Sequence, residues 1–62
     1  MVMRIEDATK GTKVKVVGEP DVGTVDHVDI EGDMVWVAMP IPGHDGQTGL
    51  IDIDPLELEL AS

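Results

Sequence analysis

Clusters of glycine, proline and aspartate cut this chain into short segments in which apolar and polar residues alternate. Successive side chains of a strand point to opposite faces, so this pattern is that of a small all-β domain. Lys13-Val14-Lys15-Val16 sets two valines against two lysines, within a strand expected over residues 12–18. Gly18-Glu19-Pro20-Asp21 forms a turn cluster. The next strand starts near Val22 and continues to Ile30, where Val28 and Ile30 share a face but Val25 has the opposite parity. A β-bulge near Asp26-His27 would return all three to one core and bend the strand sharply.

Glu31-Gly32-Asp33 reads as a hairpin turn and Met34 to Met39 as the third strand. Val35, Val37 and Met39 occupy one face of it, and Met34, Trp36 and Ala38 the other, so both faces are apolar. Pro40 to Gly46 is a loop, too rich in proline and glycine for regular structure. A fourth strand over residues 47–53 places Ile51 and Ile53 opposite Asp52. Asp54-Pro55 opens a tight turn, readable as a single 3-10 turn. Leu56, Leu58 and Leu60 then alternate with Glu57 and Glu59 in a last strand. Met1, Met3 and Ile5 either add a sixth edge strand or leave residues 1–8 frayed. The expectation is one all-β domain over residues 1–62, a small five-stranded barrel with a short 3-10 turn before the last strand.

Composition narrows the partners. Thirteen Asp and Glu against four Lys and Arg give a net charge of -9. A chain of this length has a radius of gyration of only about 11 Å, so each carboxylate lies near many others. Their field repels phosphates, which argues against direct nucleic-acid binding, anionic cofactors and anionic membranes. Basic proteins, or an apolar patch on another chain, fit better. Trp36 is the only aromatic residue besides His27 and His44, so grooves for proline-rich peptides, methyl-lysine cages and base-stacking platforms are excluded. The absence of cysteine removes disulfides and thiolate zinc sites, and neither a secretory signal nor a membrane span is apparent. The expected compartment is the cytoplasm, and no cofactor is expected.

The order of these elements resembles SH3-like barrels of the bacterial and organellar kind. Gly23-Thr24-Val25-Asp26-His27-Val28 resembles the glycine-x-valine core of the KOW motif. Lys13-Val14-Lys15-Val16, Val22-Gly23-Thr24-Val25 and the acidic, leucine-rich segment Asp54 to Leu60 are similar to the small SH3-like subunit of photosystem I. Ile51-Asp52-Ile53-Asp54-Pro55 is similar to a stretch of the plasmid-borne, trimethoprim-resistant dihydrofolate reductases, which are tetramers of SH3-like barrels. These likenesses imply an SH3-like fold. The functional residues depart from all three patterns: Asp26 and Asp29 stand where RNA-binding KOW domains are basic, and Asp52 and Asp54 where the reductase has glutamine and tyrosine. The photosystem subunit presents basic residues to its partner, whereas this chain is acidic. Fold is implied and function is not.

The strongest candidate binding site is the second face of the third strand, Trp36 with Met34 and Ala38. If Val35, Val37 and Met39 face the core, these three face outward, and an exposed Trp beside a Met is typical of an interface. The alternative is that the N-terminal segment, or the loop with Ile41 and Leu50, covers them. Asp26, His27 and Asp29 carry metal-ligand chemistry, as does His44-Asp45, but a solvated acidic face explains them better and no metal is expected. Serine occurs once, at Ser62, and neither Cys nor Tyr is present, so no nucleophilic catalytic set can be assembled.

The resulting expectation is a non-enzymatic module that binds a basic or apolar-faced protein, or itself as a homo-oligomer. A DNA-mimicking inhibitor, with Asp26, Asp29, Glu31, Asp33, Asp52, Glu57 and Glu59 imitating phosphates, is the second reading. An enzyme assembled around a pore between subunits is the third.

Overall fold

A computed structural model describes residues 3–61. Five antiparallel strands form one sheet: β1 (Lys13–Val16), β2 (Val22–Asp29), β3 (Met34–Pro40), β4 (Thr48–Ile53) and β5 (Leu58–Leu60). Their spatial order is β4-β3-β2-β1-β5. A 3-10 turn, η1 (Ile5–Asp7), precedes β1, and a second, η2 (Pro55–Glu57), precedes β5. The sheet curls around a core but does not close, since β4 and β5 are its two edges and do not pair. No helix among the described residues is long and apolar enough to cross a membrane. The Cα radius of gyration is 10.8 Å, so the carboxylates are as crowded as the chain length implies.

Strand parity and the bulge together assign the core. Val25 pairs with Val37 and His27 with Trp36, leaving Asp26 without a partner on β3. That extra residue lets Val25 and Val28 face the same side although their numbers differ by an odd step. Val14, Val25, Val35, Val37 and Leu58 are sealed from solvent, with Met3, Ala8 and Ile53 almost so. Ile5, Val16, Val28 and Met39 pack against them. No ionisable side chain among the described residues is buried in this core.

The turns follow their local chemistry. Asp29 Oδ1 accepts from the Gly32 amide at 3.1 Å, and Asp33 adopts a left-handed φ of 55°, which aspartate tolerates better than most residues. Asp54 Oδ1 accepts from the Leu56 amide at 2.9 Å, and Pro55, which has no N–H to place, starts η2.

Several expectations need correction. Ile30 lies in the β2–β3 turn rather than in the strand and is 80 % exposed, because the hairpin turns away before its side chain reaches the core. Leu56 belongs to η2 and points to solvent, so β5 is shorter than the alternation suggested. Ile51 and Ile53 share a face as expected, but only Ile53, at the end of β4 next to η2, joins the core, while Ile51 in mid-strand is 44 % exposed. Leu50 lies in β4, where the strand expected over residues 47–53 places it, and so is not carried by the loop as a cover for Trp36. Met3 and Ile5 take another course from an edge strand: Met3 enters the core, its amide donating to the Leu58 carbonyl at 2.9 Å, and Ile5 opens η1. Met1 lies outside the described residues.

Gly23 is a close-approach glycine. A Cβ there would stand 2.6 Å from Val37 Cγ1 and 3.0 Å from the Ala38 carbonyl oxygen, and would collide with Met39 Sδ. Met39 can swing away, but the Val37 methyl and the backbone cannot move without disturbing the core. Gly23→Ala is therefore expected to cost about 1–3 kcal/mol of folding stability. Urea unfolding should show a lower midpoint with an unchanged slope. Met3→Ala is expected to cost about 2–5 kcal/mol, a loss that a frayed N-terminal residue would not produce.

Candidate protein-binding face

The bulge that repairs the core also builds the outer surface. Cross-strand partners share a face, so the register places Thr24, His27 and Asp29 of β2 beside Ala38, Trp36 and Met34 of β3. On the other side of β3, Leu50 stands beside Ala38 and Asp52 beside Trp36. Trp36 is thus the centre of a three-strand surface, flanked by His27 and Asp52. Met34, Trp36 and Ala38 are each half-buried, while Leu50 is 50 % exposed.

His27 is held against the indole. The two rings stack with centroids 5.6 Å apart and planes 12° from parallel. His27 Nδ1 donates to Asp26 Oδ2 at 2.6 Å, because a carboxylate can only accept and this nitrogen must carry the proton. The unpaired bulge residue thereby orients the imidazole that covers one side of Trp36. Asp29 shares the outer face with His27, opposite Met34, but its carboxylate does not touch the imidazole and holds the β2–β3 turn through Gly32.

Among the described residues, neither segment considered as a cover for Trp36 takes that place. Met3 belongs to the core cluster, on the side of the sheet opposite Trp36. Ile41 lies over Gly49, which pairs with Met39 and so shares the core-side face. Leu50 sits beside Ala38 and widens the apolar surface instead of covering it. Its parity, opposite to Ile51 and Ile53 within the strand expected over residues 47–53, is the signal that identifies it.

Charge surrounds this surface unevenly. Asp26, Asp29 and Asp52 accompany the β2–β4 strands, with Glu31 and Asp33 in the adjoining turn. Two of the four basic residues lie on β1 and share the outer face beyond β2, where Lys15 pairs with Glu59 at 3.1 Å and Lys13 donates to Thr24 Oγ1 at 2.8 Å. The seven carboxylates considered as a phosphate mimic are therefore divided. Glu57 and Glu59 sit at the β5 end of the sheet, and Glu59 is partly neutralised.

Among the described residues, no group of three His, Asp or Glu side chains is placed to hold a metal ion. A shallow depression of about 510 Å³ is lined by Met3, Arg4, Ile5, Glu6, Asp33, Pro55 and Leu56. Its one cation, Arg4, already faces Glu6 at 3.6 Å. No protein-family model, curated protein or solved structure matches the chain.

The stacked pair has a measurable consequence. His27→Ala should cost about 0.5–1.5 kcal/mol, the usual worth of an aromatic pair, and expose the indole to water. The readouts are urea unfolding and a red shift of Trp36 emission. An unshifted emission maximum would mean that the imidazole does not shield the indole.

Proposed function

We propose that this chain is a small, non-enzymatic interaction module of SH3-like architecture that binds a basic protein partner through the outer face of β2, β3 and β4. The observation that carries this reading is β3 itself. Val35 and Val37 fill the core while Met34, Trp36 and Ala38 form a second, half-buried apolar row on the opposite face. A Trp flanked by a Met and a half-exposed Leu can supply the desolvated centre of an interface. Asp26, Asp29 and Asp52 supply a polar rim that attracts positive charge and speeds encounter. The absence of cysteine leaves its stability independent of an oxidising compartment, consistent with work in the cytoplasm.

The test compares the wild-type chain with Trp36→Ala as baits in host lysate. The expected result is a stoichiometric protein captured by the wild type and lost with the variant, at least about 30-fold weaker in affinity. Far-UV circular dichroism should remain β-rich in both. If Trp36→Ala unfolds, the indole is a structural residue and the reading loses its support. Displacement of the captured protein by duplex DNA would instead favour the mimic reading, with binding that falls steeply as salt is added.

A further inference from the structure

The two edges of the sheet are not equivalent. In an antiparallel ladder, alternate residues direct both their N–H and C=O to one neighbour, and the residues between direct theirs to the other side. On β5 the outward set includes Leu58, and its carbonyl is taken by the Met3 amide at 2.9 Å. On β4 the hairpin bond from the Ile41 amide to the Gln47 carbonyl, 3.1 Å, sets the phase. With Ile41 facing Gln47, the pairs Met39–Gly49, Val37–Ile51 and Val35–Ile53 bond inward. The N–H and C=O groups of Thr48, Leu50 and Asp52 therefore point away from the sheet. No described residue pairs with them.

Asp52 is the one charge on this edge, and the other usual protections are missing. Thr48-Gly49-Leu50-Ile51-Asp52-Ile53 contains neither lysine nor proline, and β4 carries no bulge in its pairing with β3. Its side chains offer two different rows. Ile51, 44 % exposed, lies on the core side, where the sheet stops short of covering it. Leu50 and Asp52 lie on the outer side, next to Ala38 and Trp36.

We infer that β4 is a strand-addition site, which takes an extended segment of the partner with apolar residues alternating with lysine or arginine. This rests on the proposed binding role of the outer face and names how the partner engages it. The apolar row of such a segment extends the core over Ile51. The basic row runs beside Asp52, and its aliphatic stems cover Leu50. The backbone groups of Thr48, Leu50 and Asp52 gain their missing partners, as in other complexes formed by strand addition. A second copy of this chain is the poorer occupant, because two bodies of charge -9 repel one another on approach.

The probe is an end-blocked Lys-Val-Lys-Val-Lys-Val peptide, with Glu-Val-Glu-Val-Glu-Val as control, added to the isotope-labelled chain. At a concentration about ten times the dissociation constant, amide exchange at Thr48, Leu50 and Asp52 should slow by about tenfold, with no such effect from the control. Leu50→Pro removes an outward N–H without removing an inward one, so it should abolish the protection. Asp52→Lys keeps the edge and should weaken the protection given by the lysine peptide. Protection that survives both substitutions overturns the inference, as does protection absent with the lysine peptide. Edge amides already protected without peptide, in a chain of dimeric mass, also overturn it in favour of a second copy. A captured partner that depends on Trp36 but not on Leu50→Pro would leave the binding face intact and sink the strand-addition site alone.

Discussion

One unpaired residue in the longest strand governs the rest of the architecture. Without the bulge at Asp26, strict alternation would send Val25 and Val28 to opposite faces, and β2 could line only half of the core. The bulge keeps both halves of β2 facing Val35 and Val37 and adds the local twist that lets a short sheet curl. The same residue then works on the other face, where its carboxylate fixes His27 against Trp36. Core and outer surface are thus joined through a single backbone irregularity.

The core that results is small and made mainly of valine. Side chains of this size fill the space only if backbones approach closely, which explains why β2 carries glycine at position 23 opposite Val37 and Met39. Met3 and Leu58 complete the packing from the chain's two ends, bonded to each other through the backbone. A domain of this length buries a limited fraction of its surface, so each of these contacts is a large share of its stability.

The acidic surface and the apolar β3 row act together in the proposed role. Charge of one sign makes free copies of the chain repel one another, which opposes association through half-exposed Trp36 and Leu50 and the open β4 edge. A partner of opposite sign removes that repulsion and meets the apolar row at the same time. In that proposed role, selection by charge and adhesion by apolar contact fall to different residues on one face.

Much of this was legible in the residue order. Alternation located β1 to β4, the parity of Val25 against Val28 located the bulge, and Asp54-Pro55 marked the 3-10 turn, because each is a local rule of backbone geometry. The two faces of β3 were legible for the same reason, and with them Trp36, Met34 and Ala38. Leu50, Ile51, Ile30 and Met3 were not, because parity says which side a residue faces but not whether anything lies there. Ile51 and Ile53 have the same parity and the same edge strand but opposite fates, because only Ile53 lies within the core cluster. The stacking of His27 on Trp36 needed the register between two strands. The sequence by itself determined the strands, the bulge and the sign of the surface charge. Only the tertiary structure decided which strand became the open edge and which apolar residues remained uncovered, since both depend on contacts between segments far apart in the chain.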